Sequence, residues 1–219
     1  MASKTALTDR SHMPANSLVC VVDDEEAIRR SLARLFRSAQ FSAETFPSAS
    51  AFLARPPHDG PCCLVLDVCM PGINGLKLQR TLEAREVQIV FLSGHSDVPM
   101  CADAMKEGAV DFLTKPVDEE DLLSAVAQAL LRSAAIRARL GERTAARARL
   151  EALTPREFEV MQRVIAGMLN KQIATDLHAA EKTVKIHRGR VMEKMGVTSV
   201  ADLVRAAQIA GVAPVWSEA

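Results

Sequence analysis

Short apolar runs alternate with longer amphipathic stretches from residue 18 to about residue 131. The runs at 18–22, 41–46, 62–66, 89–92 and 112–113 are brief and bounded by polar or turn residues. Strands buried on both faces of a parallel sheet carry this pattern. Between the first two runs Ile28, Leu32, Leu35 and Phe36 recur at helical spacing, and the segments 76–82, 98–105 and 122–130 carry the same period. The alternation of strand and helix predicts an α/β domain whose sheet is covered on both sides. In such sheets ligands bind beyond the carboxyl ends of the strands, where strand order reverses.

After residue 131 the pattern changes. From Arg132 to Leu150 the chain is rich in Ala, Arg and Leu, with no proline and one glycine, Gly141. These are strong helix formers, so the last helix of the first domain is able to continue straight through the linker. Positions 122, 126, 129, 133, 136, 140, 143, 147 and 150 follow a heptad seam whose polar members are Ser133, Arg143 and Arg147. That seam leaves two readings open, a short dimeric coiled coil and a solvated helical spacer. Thr154, Pro155 and Glu157 then form a helix start, with a Thr-x-x-Glu capping box and proline in the first turn. Phe158, Met161, Val164, Ile165 and Met168 follow at helical spacing. A short helix near 170–177 turns Ile173, Ala174 and Leu177 inward, a helix at 181–195 carries Val184, Val191 and Met195, and a last one carries Leu203, Val204 and Ala207. This predicts a second, all-α domain of four helices with a helix-turn-helix at its centre.

Charge divides along the same line. The 219 residues hold 27 Lys+Arg and 27 Asp+Glu. Residues 1–121 carry 12 basic against 18 acidic side chains, and residues 122–219 carry 15 against 9. An acidic half joined to a basic half implies two domains with different partners, nucleic acid being the natural one for the second. The five cysteines, Cys20, Cys62, Cys63, Cys69 and Cys101, lack zinc-site spacing, and the expectation for them is reduced core thiols. No apolar run approaches the roughly 20 residues of a membrane span. The polar first residues lack the core of a secretion signal, so a cytoplasmic location is expected. Ser11-His12-Met13 is compatible with a cloning scar and with a native start alike.

The predicted strand ends concentrate chemistry. The first run is followed by Asp23-Asp24, the third by Asp67, the fourth by Ser93 and the fifth by Thr114-Lys115-Pro116. Three carboxylates converging in one crevice repel, and oxygen-only donors favour a hard cation such as magnesium. A lysine and a hydroxyl beside a nucleophilic carboxylate complete the equipment for phosphoryl transfer. Other readings exist: Asp23 or Asp24 as a helix cap, Ser93 as a turn residue, Phe112 as plain core and His95 as a solvated loop residue.

Val21-Val22-Asp23-Asp24-Glu25, Leu66-Asp67-Val68-Cys69-Met70-Pro71-Gly72, Ser93-Gly94-His95 and Asp111-Phe112-Leu113-Thr114-Lys115-Pro116 together resemble the receiver domain of response regulators, over residues 17–131. The resemblance implies a flavodoxin-like sheet of order 2-1-3-4-5, with Asp67 as the phosphorylated carboxylate. Asp23, Asp24, Asp67 and the backbone carbonyl of Cys69 would hold magnesium (or manganese). Lys115 would pair with the phosphoryl group, Ser93 and Phe112 would rearrange after phosphorylation, and Lys115-Pro116 would be cis. A phosphohydrolase reading fails for want of a second acid, since Cys69 stands two residues after Asp67. A vestigial receiver would lack the intact set of Asp23, Asp24, Asp67, Ser93 and Lys115.

The predicted helix at 181–195 carries Lys182, Lys185, Arg188, Arg190 and Lys194 against Glu181 and Glu193. A helix with one buried side and a cationic opposite side suits the DNA major groove. Leu153-Thr154-Pro155-Arg156-Glu157, Asn170-Lys171-Gln172-Ile173-Ala174 and Lys182-Thr183-Val184-Lys185-Ile186-His187, ending in Lys194-Met195-Gly196, resemble the LuxR-type DNA-binding domain, over residues 152–213. With the receiver and the 132–151 linker, the chain resembles the NarL/FixJ group of response regulators. The resemblance implies Lys182, Lys185, Ile186 and Gly189 facing the major groove, Thr183, His187 and Arg188 beside the DNA backbone, and Arg190 as a further DNA-binding residue, with a buried, hydrogen-bonded His187 as the alternative. It further implies a sensor histidine kinase, promoter DNA and RNA polymerase as partners, and a homodimer on phosphorylation to which Val98, Cys101, Ala102 and Met105 contribute. Catalysis beyond slow autodephosphorylation is not expected. The chain departs from the family in reading His178-Ala179-Ala180, where Gly-Ile-Ser is common.

Overall fold

The computed structural model describes residues 13–72, 74–82, 87–94 and 98–216. Expectations attached to Ser11-His12 and to His95 lie outside the described residues. The chain divides into two compact units between Arg137 and Ala138.

The first unit runs β1 (Leu18–Val22), α1 (Glu26–Ser38), β2 (Ser42–Phe46), α2 (Ala49–Leu53), β3 (Cys62–Asp67), α3 (Gly75–Thr81), β4 (Val87–Ser93), α4 (Val98–Lys106), β5 (Asp111–Thr114) and the start of α5 (Glu119–Glu151). All strand pairs are parallel, in the order β2-β1-β3-β4-β5. Every residue of β1 and β3 is buried, as the uninterrupted apolar runs require, whereas β2 and β5 form the more exposed edges. Alternation along the strands sends Cys20, Val22, Leu64, Leu66 and Phe91 to one core with Phe52 of α2, Leu78 of α3 and Ala104 of α4. It sends Val19, Val21, Cys63, Val65 and Leu92 to another core with Phe36 of α1 and Leu122, Val126 and Leu130 of α5. Each large side chain so buried contributes about 1.5–3 kcal/mol.

Two features depart from the apolar periodicity. The five-residue α2 is too short for a helical period to register; its signal was Ser48, whose hydroxyl accepts the Ala51 N–H at 3.1 Å. Helix α5 continues unbroken through position 131, and its seam is divided between two cores. Leu122, Val126, Ala129 and Ser133 are buried in the first unit, while Leu150 packs against the core of the second. Ser133 is polar in an apolar seam because its Oγ accepts the Cys62 N–H at 3.0 Å, satisfying a buried backbone donor at the start of β3. Arg143 and Arg147 are exposed. Little apolar seam is left for a second copy, which favours the spacer reading. Cys20, Cys62 and Cys63 are buried thiols as expected, but Cys69, in the segment between β3 and α3, is exposed, and Cys101, on α4 where only Ala104 is buried, is half-buried.

The second unit packs α6 (Pro155–Ile165), α7 (Asn170–Asp176), α8 (Glu181–Met195) and α9 (Val200–Ala210) around Val160, Met161, Val164, Ile173, Val184, Val191, Met195 and Leu203. The capping box of α6 is formed, Thr154 Oγ1 accepting the Glu157 N–H at 3.3 Å and Glu157 Oε2 accepting the Thr154 N–H at 2.9 Å. The carboxylate of Glu157, only 2% exposed, also accepts Lys194 Nζ at 2.6 Å. That bond, with the Thr154 N–H, holds Glu157 down to about 2. The turn before α8 has His178 at φ 49°, a left-handed conformation that costs a side-chain-bearing residue about 1–2 kcal/mol. Ala180 at the α8 N-cap has no side-chain oxygen to accept an amide.

Ala180→Ser supplies that acceptor and should stabilise the second unit by about 1 kcal/mol, read as a higher melting temperature by circular dichroism. Because Glu157 is depressed in the folded state, its stabilisation is complete above the ordinary carboxylate value of 4.5 and is lost as pH falls toward about 2. Glu157→Gln should flatten that acid limb and cost about 1–3 kcal/mol at neutral pH, measured by urea unfolding across the same range.

Candidate functional site

Parallel register brings the carboxyl ends of the strands together, with Val22 opposite Leu66, Asp67 opposite Leu92 and Ser93 opposite Thr114. The residues that end or follow these strands therefore share one crevice. Lys115, fixed by its N–H to the Ser93 carbonyl at 2.8 Å, extends its ammonium to Asp23 Oδ2 at 2.7 Å and Asp67 Oδ1 at 3.2 Å. Asp23 is 1% exposed and Asp67 6%, while Asp24 stands exposed beside them. Neither Asp23 nor Asp24 caps α1: Glu25 occupies the N-cap position, and Asp23 Oδ1 accepts the Glu25 N–H at 2.8 Å.

Burial raises Asp67 above the usual carboxylate range; Lys115 opposes this, and the charges of Asp23 and Asp24 reinforce it. For Lys115 burial acts downward, but hydrogen bonding and charge from Asp23 and then Asp67 outweigh it and hold the ammonium above its ordinary value. One ammonium is thus shared by two buried carboxylates, with the charge of Asp24 acting on Asp67 as well. Among the described residues no group of three or more His, Cys, Asp or Glu is gathered for a metal ion. The donor chemistry of Asp23, Asp24 and Asp67 is all oxygen, which suits a hard divalent cation, and added positive charge would relieve the repulsion that raises Asp67.

Around this centre Ser93 is fully buried at the end of β4, and half-buried Phe112 packs on Phe91 with ring centroids 5.9 Å apart. Cys69 is exposed, and the Lys115-Pro116 bond is cis. Two supporting residues escaped the sequence reading. Arg29 Nη1 donates to the carbonyls of Asp23 at 2.8 Å and Asp24 at 2.9 Å, holding the backbone of the acidic pair from α1. Gly75 lies so close to Asp67 that a Cβ there would stand 2.6 Å from the Asp67 carbonyl oxygen. The signal for Gly75 was a glycine opening a helix directly after the Asp67 loop; Arg29 had none beyond its helical distance from the pair. On α4, Val98 is 83% exposed and Met105 42%, with Cys101 and Ala102 half-buried.

The second unit presents α8. Val184, Val191 and Met195 anchor it in the core, and Lys182, Thr183, Lys185, Ile186, Gly189 and Arg190 are exposed. Ile186, at 49% exposure, is an apolar side chain among cations, and beside Gly189 there is open space. Arg188 is half-buried, its Nη1 donating to Asn170 Oδ1 on α7 at 3.0 Å. His187 is half-buried with Nδ1 out of solvent and unpartnered among the described residues, so the hydrogen-bonded reading of this histidine does not hold. Lys194 belongs to the fold, tied to Glu157 and to the Ala152 carbonyl at 3.0 Å.

Comparison with known proteins matches residues 19–127 to the response regulator receiver domain and residues 151–207 to the luxR family of bacterial regulatory proteins. The chain is 44% identical over 200 residues to nodulation protein W of Bradyrhizobium diazoefficiens, covering 90% of this chain and 87% of that protein. It is 42% identical to the transcriptional regulatory protein FixJ of Azorhizobium caulinodans, covering 92% and 97%. Among solved structures it is similar to the response regulator StyR, with TM-score 0.80 and 43% identity over 89% of this chain and 99% of that one. Full-length FixJ from B. japonicum gives TM-score 0.53 at 38% identity, over 89% and 97%.

Lys115→Met would leave two buried carboxylates facing each other without their shared cation. A loss of about 3–5 kcal/mol at neutral pH is expected. Since burial already raises Asp67, the variant should regain part of that stability as pH falls from neutral and the carboxyl takes up a proton. Urea unfolding at neutral pH and along a descending pH series checks both.

Proposed function

This chain belongs to the two-component response regulators that join a receiver to a LuxR-type DNA-binding domain, and on that premise we propose that phosphorylation of Asp67 controls its dimerisation and promoter binding. The observation that carries the reading is the Lys115 ammonium shared by Asp23 and Asp67 at the carboxyl end of the sheet.

In this reading a sensor histidine kinase delivers the phosphoryl group. An ionised oxygen of Asp67 attacks the phosphorus of the phosphohistidine, the P–N bond breaks, and an acyl phosphate forms as the histidine leaves with its electron pair. Asp67 must be ionised to attack, and burial opposes that ionisation; Lys115 keeps the carboxylate charged and then pairs with the added phosphoryl oxygens. Asp23, Asp24, Asp67 and the Cys69 carbonyl would hold magnesium or manganese, which when bound supplies the remaining charge neutralisation of the phosphoryl oxygens. Arg29 holds the backbone of the acidic pair in place from behind. The chain is a phosphoacceptor, with at most slow autodephosphorylation of its own.

The signal then leaves the crevice through Ser93 and Phe112. The Ser93 hydroxyl turns to donate to a phosphoryl oxygen, and the Phe112 ring follows inward along Phe91. Helix α4 and strand β5 respond, and the apolar face with Val98, Cys101, Ala102 and Met105 pairs with a second copy. Pairing sets two α8 helices against half-sites about one DNA turn apart. Lys182, Lys185, Ile186 and Gly189 face base edges, Thr183, His187 and Arg188 lie along the backbone, and Arg190 adds a further DNA contact. Bound at a promoter in the cytoplasm, the dimer would act on RNA polymerase.

A small-molecule phosphodonor or beryllofluoride should convert the protein to a dimer and tighten its DNA binding by roughly 5- to 150-fold, the usual span of coupled sites. Asp67→Asn should bind DNA at the basal level and ignore the phosphodonor. Sedimentation and DNA titration with both proteins are the check; equal responses from the parent and the Asn variant would defeat the reading.

A further inference from the structure

Within the second unit, residues 138–151 of α5 carry Arg139, Arg143, Arg147 and Arg149 against Glu142 and Glu151. Arg139, Arg143 and Arg147 are four residues apart and exposed, and none has an ion pair or hydrogen bond among the described residues. Successive members of such a row turn by only about 40°, so they form a stripe about 12 Å long on one side of the helix. The stripe lies beside the line of buried Ala146 and core-packed Leu150. The C-terminal end of α8 is tied to the end of α5 and the residue that follows it: Arg149 Nη1 donates to the Met195 carbonyl at 3.4 Å, and Lys194 Nζ donates to the Ala152 carbonyl at 3.0 Å. Arg139, Arg143 and Arg147 thus belong to the same compact unit as α8.

We propose that Arg139, Arg143 and Arg147 grip the phosphodiester backbone of the duplex flanking the half-site that α8 reads. The proposal rests on the reading of α8 as the DNA-contacting helix and extends it to a second surface. The duplex presents one negative charge per ~1.7 Å of its axis, so it matches a stripe of this length. The planar guanidinium suits bidentate phosphate contacts and remains charged at every accessible pH.

The experiment uses the full-length protein and a duplex that it selects from a random pool. Affinity is measured against salt concentration for the parent, for R139Q/R143Q/R147Q and for R139K/R143K/R147K. Two lengths are compared: one with long flanks, and one trimmed to the half-sites. Each phosphate contact contributes about 0.9 to the log–log slope. On the long duplex the glutamine variant should lose a slope of about 2–3 per protomer and the lysine variant should keep it. On the trimmed duplex all three should coincide, and the ranking of base substitutions should be unchanged throughout. A parent-like slope for the glutamine variant on the long duplex overturns the proposal. So does a slope change that trimming leaves in place, or a loss of self-association, which would assign the stripe to the acidic receiver of a second copy. If the parent selects no sequence at all, the reading of α8 fails and the proposal falls with it.

Discussion

The first unit turns on one cation held between two buried acids. Asp23 follows β1 and Asp67 ends β3; the sheet brings them together, and their charges would repel but for the Lys115 ammonium bonded to both. That arrangement is stable without being satisfied. Burial and the neighbouring charges of Asp23 and Asp24 still lift Asp67 above its ordinary range. Any species that adds positive charge, or that changes the charge on Asp67, must redistribute these contacts. The backbone of Lys115 is bonded to Ser93, so redistribution reaches the end of β4 directly.

The fold keeps this tension local. β1 and β3, which carry the two acids, are buried along their full length between two separate cores, so the carboxylates cannot retreat into solvent by moving the strands. The freedom lies at the edge, where β5 is only partly buried and α4 buries little beyond Ala104. Half-buried Phe112 and the exposed Val98 and Met105 of α4 lie on that side. In the second unit the division of labour is between faces of α8. Its apolar stripe and the Lys194–Glu157 bond hold the helix, Arg188 is tied to Asn170, and Lys182, Lys185 and Arg190 stay exposed.

Much of this was legible in the residues. Continuous apolar runs separated by helical periods specify buried parallel strands because a strand covered on both faces has no polar side to show. Acids at strand ends mark a crevice because register alone aligns those ends. The capping box at Thr154 is a local interaction between residues three apart, complete in the sequence and found in the structure. Helix α2 was not legible, since five residues give no period, and Arg29 was not, since its role depends on reaching carbonyls rather than on a motif.

The sequence by itself determined the strand and helix order, the acidic and basic halves, and which carboxylates and cations were available, because these depend on local periodicity and on residue identity. Tertiary structure alone decided how those charges are spent. It committed Lys194 to Glu157 and Arg188 to Asn170. It divided the α5 seam between two cores and left its arginines outside. The physical reason is that an ion pair or a buried seam requires a partner distant in the chain, and only folding sets which partner comes within reach.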